Sequence, residues 1–411
     1  MHSLVQEPGQ SLRNFKEQNQ ISDYCIGIAV GAGGFGEITV IGMLCWIVLR
    51  IDLAKRYSGL TGVLKDLAII NMAALVLLFW AYIDPYISLS PDGVMTSNGF
   101  REMFCPANGM EGLTWKELVK VIVLAVFGIT TNHSKIRQAR RLIIGIAAGL
   151  LFYVIPTIAG SIAFQGLRMG GDKVYDIFSN QLTAQSTTAG YLVIIIIGIF
   201  AGLEKLQALA LAILVGFITG IQTSNRSAIL FSILGAIYYI YKSPYGMMVL
   251  DKVKKHRTKC IAAFLATIAL STMAAIQSDD IVSRITAAID GRGSLYLQGY
   301  SNLGILLINP TMNQLANVGH NIWWHSTPLD AARSAGFLGA ILAIIWFSML
   351  LISMIKRARQ KEFGECLLCL SGLFLFVSGM PIYEGAYELV ALYSVSLLTL
   401  QTSSKLNKRG I

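Results

Sequence analysis

The stretch LQALALAILVGFITGIQTSNRSAILFSILGAIYYIYK, residues 206–242, decides the fold. Two uncharged apolar runs, Leu206–Ile221 and Ala228–Tyr241, flank a short polar turn that carries Arg226. Each run approaches the roughly 20 residues with which a helix spans a bilayer core. Backbone groups in such surroundings have to be satisfied within the segment, and blocks of this length do so as helices, not as the shorter alternating strands of a barrel. The stretch therefore reads as two antiparallel helices, with Arg226 held where the second begins.

The same pattern recurs in both directions. Apolar blocks precede the stretch at Cys25–Leu49, Leu67–Tyr86, Leu118–Thr130, Leu142–Phe164 and Tyr191–Ala201; others follow at Cys260–Ile276, Ala331–Ile355, Cys366–Pro381 and Leu389–Leu400. Over 411 residues, 54% are hydrophobic and 14% charged, with mean hydropathy +0.60. That is too little charge for a water-facing globular surface. The predicted fold class is all-α, a polytopic inner membrane protein with about 10–12 transmembrane helices and a large periplasmic loop. No internal repeat, low-complexity tract or linker divides residues 1–411, so a single membrane domain is expected.

A formal net charge of +10 could suggest nucleic acid, but Lys and Arg gather in short loops instead of forming one stripe, so no nucleic-acid partner is expected. The clusters Lys135–Arg141, Lys252–Lys259, Lys356–Lys361 and Lys405–Arg409 can all lie on the cytoplasmic side, together with the C-terminus. Gln165–Gly190, Thr223–Arg226, Ser278–Asp330 and Tyr383–Glu388 then face the periplasm. Eleven visible blocks would leave the N-terminus outside; an extra or re-entrant segment near Gly31–Gly34 or within Ser88–Lys116 would change the count. Residues 1–23 contain no signal-peptide core, so insertion begins with the first span. Cys366-x-x-Cys369 has no partner cysteines or histidines at metal spacing, and no metal site is expected.

The periplasmic insertion, residues 278–330, is polar and Trp-rich and ends in His325-Ser326-Thr327-Pro328-Leu329-Asp330. ATP and nucleotide sugars are absent from that compartment, so chemistry there needs a donor that arrives activated, and a lipid-linked one fits best. Arg226 offers a planar fork of donors for phosphate oxygens, or else snorkels to headgroups. Arg284 and Arg292 each have a nearby aspartate; Arg284 reads either as part of a surface ion pair or as a phosphate ligand, while Arg292, between Gly291 and Gly293, sits where backbone can approach a ligand. His325 is the candidate general base, with His320 the weaker alternative. Leu329, Gly336 and Gly339 continue from His325 into the next helix, and the glycines permit close helix approach. Tyr296, Tyr300, Trp323 and Trp324 either stack on sugar faces or form an interfacial aromatic belt. Glu384 and Glu388 are placed to partner an arginine, Glu204-Lys205 reads as a cytoplasmic hairpin tip, and Glu37 and Asp84 as polar contacts in the bundle.

The Ser-x-Arg-Ser-Ala turn at 224–228, the Arg292-x-x-x-Tyr296 element, Asn309-Pro310, and the His325-Ser326 pattern with Leu329, Gly336 and Gly339 together resemble the bacterial O-antigen ligase and O-antigen polymerase superfamily. The resemblance runs from about Leu206 to Ile355. Ser326 stands where that family more often has asparagine, and the Trp323-Trp324 approach is unusually Trp-rich.

The resemblance implies a metal-independent, inverting glycosyltransferase without cofactors. Its donor would be an undecaprenyl-diphosphate-linked glycan, and its acceptor a hydroxyl on lipid A-core (ligase) or on a growing polysaccharide (polymerase), with protein O-oligosaccharyl transfer a third outcome. It assigns diphosphate binding to Arg226 and Arg292, with Arg284 a lesser candidate, and catalysis to His325. Tyr296 and Trp324 are the candidate sugar or acceptor contacts. Guanidinium groups would stabilise the charge that builds on a departing diphosphate. The competing class is a transporter or flippase of lipid-linked sugars, which commonly shows two related halves; none are visible here.

Overall fold

The computed structural model describes residues 8–34, 36–50, 59–87, 115–166, 173–176, 180–223, 225–244, 326–378 and 386–402, with isolated positions 246, 248, 297, 299–301, 303 and 304. These residues are mostly helical. In chain order the helices are α1 (Pro8–Ala32), α2 (Glu37–Arg50), α3 (Gly59–Ile87), α4 (Trp115–His133), α5 (Ile136–Gln165), α6 (Ser186–Gly202), α7 (Leu206–Gln222), α8 (Arg226–Lys242), α9 (Thr327–Arg359), α10 (Phe363–Ser378) and α11 (Ala386–Thr402). Two stretches, Ile136–Gln165 and Gly336–Arg359, are long and apolar enough to cross a membrane.

At the centre lies α6. From Ala189 to Leu203 it is buried on every side, as its unbroken apolar sequence requires. α10 packs antiparallel to it, with Gly198 against Ser371, Gly202 against Leu368, and Gly364 against the Ala201 carbonyl. α7 and α8 form the expected hairpin: Gly216 meets Ser232 and Gly220 meets Ile229. Buried side-chain hydrogen bonds tie distant helices together. Asn71 donates to the Leu342 carbonyl (2.9 Å), Trp346 Nε1 to Ser396 Oγ (2.7 Å), and Tyr393 Oη to the Leu124 carbonyl (2.9 Å).

One expected span is in fact two helices. Within the Cys25–Leu49 block, α1 stops at Ala32, the chain turns through Gly33–Gly36 with Gly34 at φ 52°, and α2 returns antiparallel. Glycine satisfies a hydropathy criterion while giving up helical continuity, so the block is uniformly apolar yet breaks. Thr39 Oγ1 donates to the Val30 carbonyl across the turn (2.9 Å). α1 then runs parallel to α5 at backbone contact: Gly27 lies on Leu142 and Gly145, Gly31 on Ile146, and Gly149 on Ile28 and Ala32. Only small residues permit that approach.

Two further boundaries differ from expectation. The Gln165–Gly190 segment contains an antiparallel hairpin, β1 (Lys173–Asp176) with β2 (Gln181–Gln185), bulged between Val174 and Tyr175, so the fold is not purely helical. It is fixed to α5 by the Tyr175 N–H donating to Ser161 Oγ (2.8 Å) and by the Tyr175 ring stacking on Phe164. The polar segment expected to extend to Asp330 gives way to helix earlier: Thr327–Asp330 already form the first turn of α9, with Pro328 at an early position where its missing N–H does no harm.

The helices present two distinct ends. At one, Asp23 (α1) receives Arg50 (α2) and Arg141 (α5); Asp66 (α3) receives Asn132 and His133 (α4); Glu204 pairs with Lys242; and Arg357 (α9) bridges Glu362 and Glu365 at the head of α10. One cavity there is lined by both Arg140 and Lys361. Two of the four predicted basic clusters, Lys135–Arg141 and Lys356–Lys361, therefore share this end. Lys252–Lys259 and Lys405–Arg409 lie outside the described residues.

Candidate functional site

At the opposite end gather the Gly33–Gly36 turn, the β1–β2 hairpin, the 222–226 turn and the start of α11. The 222–226 turn is bound on both flanks. Gln222, buried, donates through Nε2 to the Gly166 carbonyl at the end of α5 (3.1 Å). The Asn225 side chain lies directly against Gly190 of α6, where a Cβ would not fit. Asn225 is also the N-cap of α8, its Oδ1 accepting from the Ala228 N–H (3.0 Å).

Arg226 is thus the first residue of α8, on a turn with little freedom, and its side chain is exposed. Guanidinium and helix N-terminus contribute potential of one sign at one place. Both favour an anion.

The second predicted element is represented by the first turn of α9. Ser326 is extended (φ −138°, ψ 111°), and its N–H donates to the Asp330 carboxylate at 2.9 Å, while the Asp330 N–H returns a bond to the Ser326 carbonyl at 2.8 Å. Asp330, Leu329 and Ser326 are all buried. α9 runs from this turn towards Arg357 at the ion-paired end, so its start belongs to the opposite one. Gly336, expected to serve helix approach, has φ 57°, a backbone conformation that glycine adopts without strain.

His325, Arg284, Arg292, Tyr296 and Trp324 lie outside the described residues, as do His320, Trp323, Glu384 and most of 278–330. Of the predicted site residues, the structure describes Arg226. Tyr300 is exposed, and Glu37 is exposed in the first turn of α2.

A polar group that sequence reasoning missed occupies the same end. Tyr153 (α5) and Tyr387 (α11) stack with centroids 4.0 Å apart, and Tyr387 Oη donates to the Ala32 carbonyl (3.2 Å). The carboxylates of Asp176 and Glu388 come near enough to Tyr153 to act on it electrostatically, and Glu388 is buried. The sequence offers Glu388 as an arginine partner; Tyr153 and Asp176 carry no local motif, and only the packing of α5, β1 and α11 brings them together.

Cys366 and Cys369 are free thiols. Among the described residues, no group of three or more His, Cys, Asp and Glu is arranged to hold a metal ion. No family model matches the chain, and no curated protein matches its sequence.

Proposed function

We propose that the chain is a polytopic inner membrane glycosyltransferase that moves a glycan from undecaprenyl diphosphate to an acceptor hydroxyl on the periplasmic face, with lipid A-core as the acceptor (O-antigen ligase) and polysaccharide extension as the alternative. The observation that carries this reading is Arg226, an exposed guanidinium at the N-terminus of α8, fixed by Gln222 and Asn225 at the end opposite the ion pairs.

Support for the membrane setting comes from the helix surfaces. α2 exposes Ile38, Ile41, Leu44 and Val48; α7 exposes Leu211, Leu214 and Ile218; α9 exposes Phe337, Ile341, Ile344 and Ile352. The interior meanwhile holds Asp23, Thr39, Asn71, Gln222 and Asp330. A surface more apolar than parts of the interior suits lipid, where small residues and interhelical hydrogen bonds join the helices. With the ion-paired end cytoplasmic, the α1–α2 hairpin supplies the additional segment that brings the N-terminus to the cytoplasmic side as well.

In this reading Arg226 and Arg292, with Arg284 in a lesser role, receive the diphosphate as the anomeric C–O bond breaks. His325 removes the acceptor proton from the opposite face, so a single displacement inverts the anomeric centre. Tyr296 and Trp324 contact sugar or acceptor.

The test uses purified full-length protein, undecaprenyl-diphosphate glycan and lipid A-core, with and without a chelator. Transfer persists in the chelator, Arg226→Ala lowers kcat/KM by about 10²–10³, and His325→Ala by about 10²–10⁴. Loss of transfer on chelation refutes the metal-free mechanism, and an unimpaired His325→Ala enzyme removes that base. Translocation of donor without transfer makes the chain a flippase.

A further inference from the structure

We propose that the cavity at the ion-paired end, lined by the start of α5, the α6–α7 turn, the end of α8 and the α9–α10 turn, binds a phosphate group, presented either by a membrane lipid headgroup or as free phosphate. The cavity measures about 240 Å³, far more than a single water needs. Two buried donors line it without an acceptor of their own. Tyr238 is 5% exposed, and its hydroxyl has no hydrogen-bond partner among the described residues. Arg140 Nε is buried and unpartnered in the same way. An arginine can only donate, so what completes this wall is an acceptor.

The charges define the acceptor further. Of the ionic groups around the cavity, Lys242 is held by Glu204 at 2.8 Å, and Glu362 and Glu365 are both engaged by Arg357. Arg140 and Lys361 are left without an ion pair among the described residues. A compact anion with several acceptor oxygens satisfies both cations and the Tyr238 hydroxyl, and a guanidinium matches phosphate geometry in particular. α10, 16 residues long, starts in this wall at Phe363 and Gly364 and adds the positive end of its dipole. Gly364 is also where the Tyr238 hydroxyl comes close, so a side chain there would occupy the space.

Beside the cavity, Tyr241 and Phe363 are both exposed and meet edge-on, centroids 5.7 Å apart. Such a pair is suited to headgroup depth. It gives a lipid a route to the site. This site lies at the opposite end of the bundle from Arg226, and its test does not depend on glycan transfer.

The experiment measures binding to the full-length protein in neutral detergent by native mass spectrometry and titration, with phosphatidylglycerol, phosphatidylcholine and inorganic phosphate as separate probes. Phosphatidylglycerol or inorganic phosphate binds; Arg140→Gln and Lys361→Gln each weaken that binding at least about tenfold; Tyr238→Phe weakens it several-fold; and Glu204→Gln tightens it by removing a carboxylate and releasing Lys242. Lys361 is exposed, so its variant keeps the fold, and an unchanged unfolding midpoint confirms this. Phosphatidylglycerol that inorganic phosphate cannot displace identifies a lipid site, and displacement by inorganic phosphate identifies a free-phosphate site. Failure of both probes to bind, equal binding of phosphatidylcholine and phosphatidylglycerol, or indifference to the Arg140 and Lys361 substitutions overturns the proposal.

Discussion

The two ends of the helical bundle are built by different means. At one, ion pairs clamp helix to helix: Asp23 joins α1, α2 and α5, Asp66 joins α3 and α4, and Arg357 joins α9 and α10. At the other, the described joints include backbone carbonyls, an amide cap and stacked rings: Gln222 to Gly166, Asn225 against Gly190, Tyr387 to Ala32 and Tyr387 on Tyr153. The charges that hold helices at the first end are unavailable to a ligand, and Arg140 and Lys361 are the cations left over among the described residues of the cavity there. Where amides and a backbone carbonyl hold the 222–226 turn, the charge of Arg226 remains exposed.

The largest expected effect tests whether the clamps carry stability. Asp23 is fully buried and takes Arg141 through Nε and Nη2 at 2.9 and 2.8 Å, together with Arg50, whose guanidinium also lies 5.1 Å from the Trp46 ring centroid. Asp23→Ala leaves two arginines facing each other with their shared anion gone. Breaking a buried pair in this way costs about 3–5 kcal/mol. Unfolding of the purified protein in a fixed detergent or nanodisc measures it. A loss below about 1 kcal/mol, the range of exposed pairs, would end the claim that this end is electrostatically clamped.

Next is the α1–α5 contact, which links the two ends. At Gly145 a Cβ would meet the Tyr24 carbonyl and the backbone of Gly27 and Ile28. Alanine gains about 0.5–1 kcal/mol of helix propensity over glycine, but overpacking that moves backbone costs about 1–3 kcal/mol. Gly145→Ala should therefore be destabilising by about 1–2 kcal/mol. A stabilised variant would mean that α1 and α5 are not in contact at the backbone.

Some of this was legible in the sequence. The α7–α8 hairpin and the position of Arg226 follow from two uncharged runs around a short polar turn, because a backbone among apolar side chains satisfies its polar groups within a helix. The break inside Cys25–Leu49 left one trace, the extra or re-entrant segment allowed near Gly31–Gly34, and no more, because Gly31, Gly33, Gly34 and Gly36 are neutral in hydropathy while ending a helix. The β1–β2 hairpin has strands of four and five residues, too short for alternation to stand out. Tyr153, Asp176, Tyr387 and Glu388 are distant in sequence, and no local spacing announces their meeting. The Glu204-Lys205 tip was legible, yet the partner of Glu204 is Lys242 on another helix. His325, Arg284, Arg292, Tyr296 and Trp324 lie outside the described residues, so the sequence remains their only guide.

A smaller effect concerns that Glu204–Lys242 pair. Both side chains are substantially exposed, so a double-mutant cycle should return less than about 1 kcal/mol, in contrast to Asp23. The hydrogen bond to Glu204 raises the Lys242 pKa above its ordinary 10.5. A raised folded-state value means that the contribution is complete below the unfolded-state pKa and disappears as pH climbs through the folded one. The coupling should thus be constant through neutral pH and vanish in strong alkali. Decay of the coupling between pH 6 and 8 would show that some other group is titrating.

The smallest effect on stability belongs to Arg226. The cap of α8 is Asn225, whose loss costs about 0.5–2 kcal/mol, whereas Arg226 stands exposed at the first helical position. A cation there opposes the helix dipole by a few tenths of a kcal/mol. Arg226→Ala should therefore leave unfolding within about 0.5 kcal/mol of the parent, on the stabilising side if anywhere, and Asn225→Ala measured beside it should be clearly worse. Under the proposed function such a residue serves a ligand and not the fold, since an exposed guanidinium at a helix N-terminus attracts an anion. If Arg226→Ala instead unfolds the protein as Asp23→Ala does, Arg226 is another clamp and the contrast between the two ends disappears.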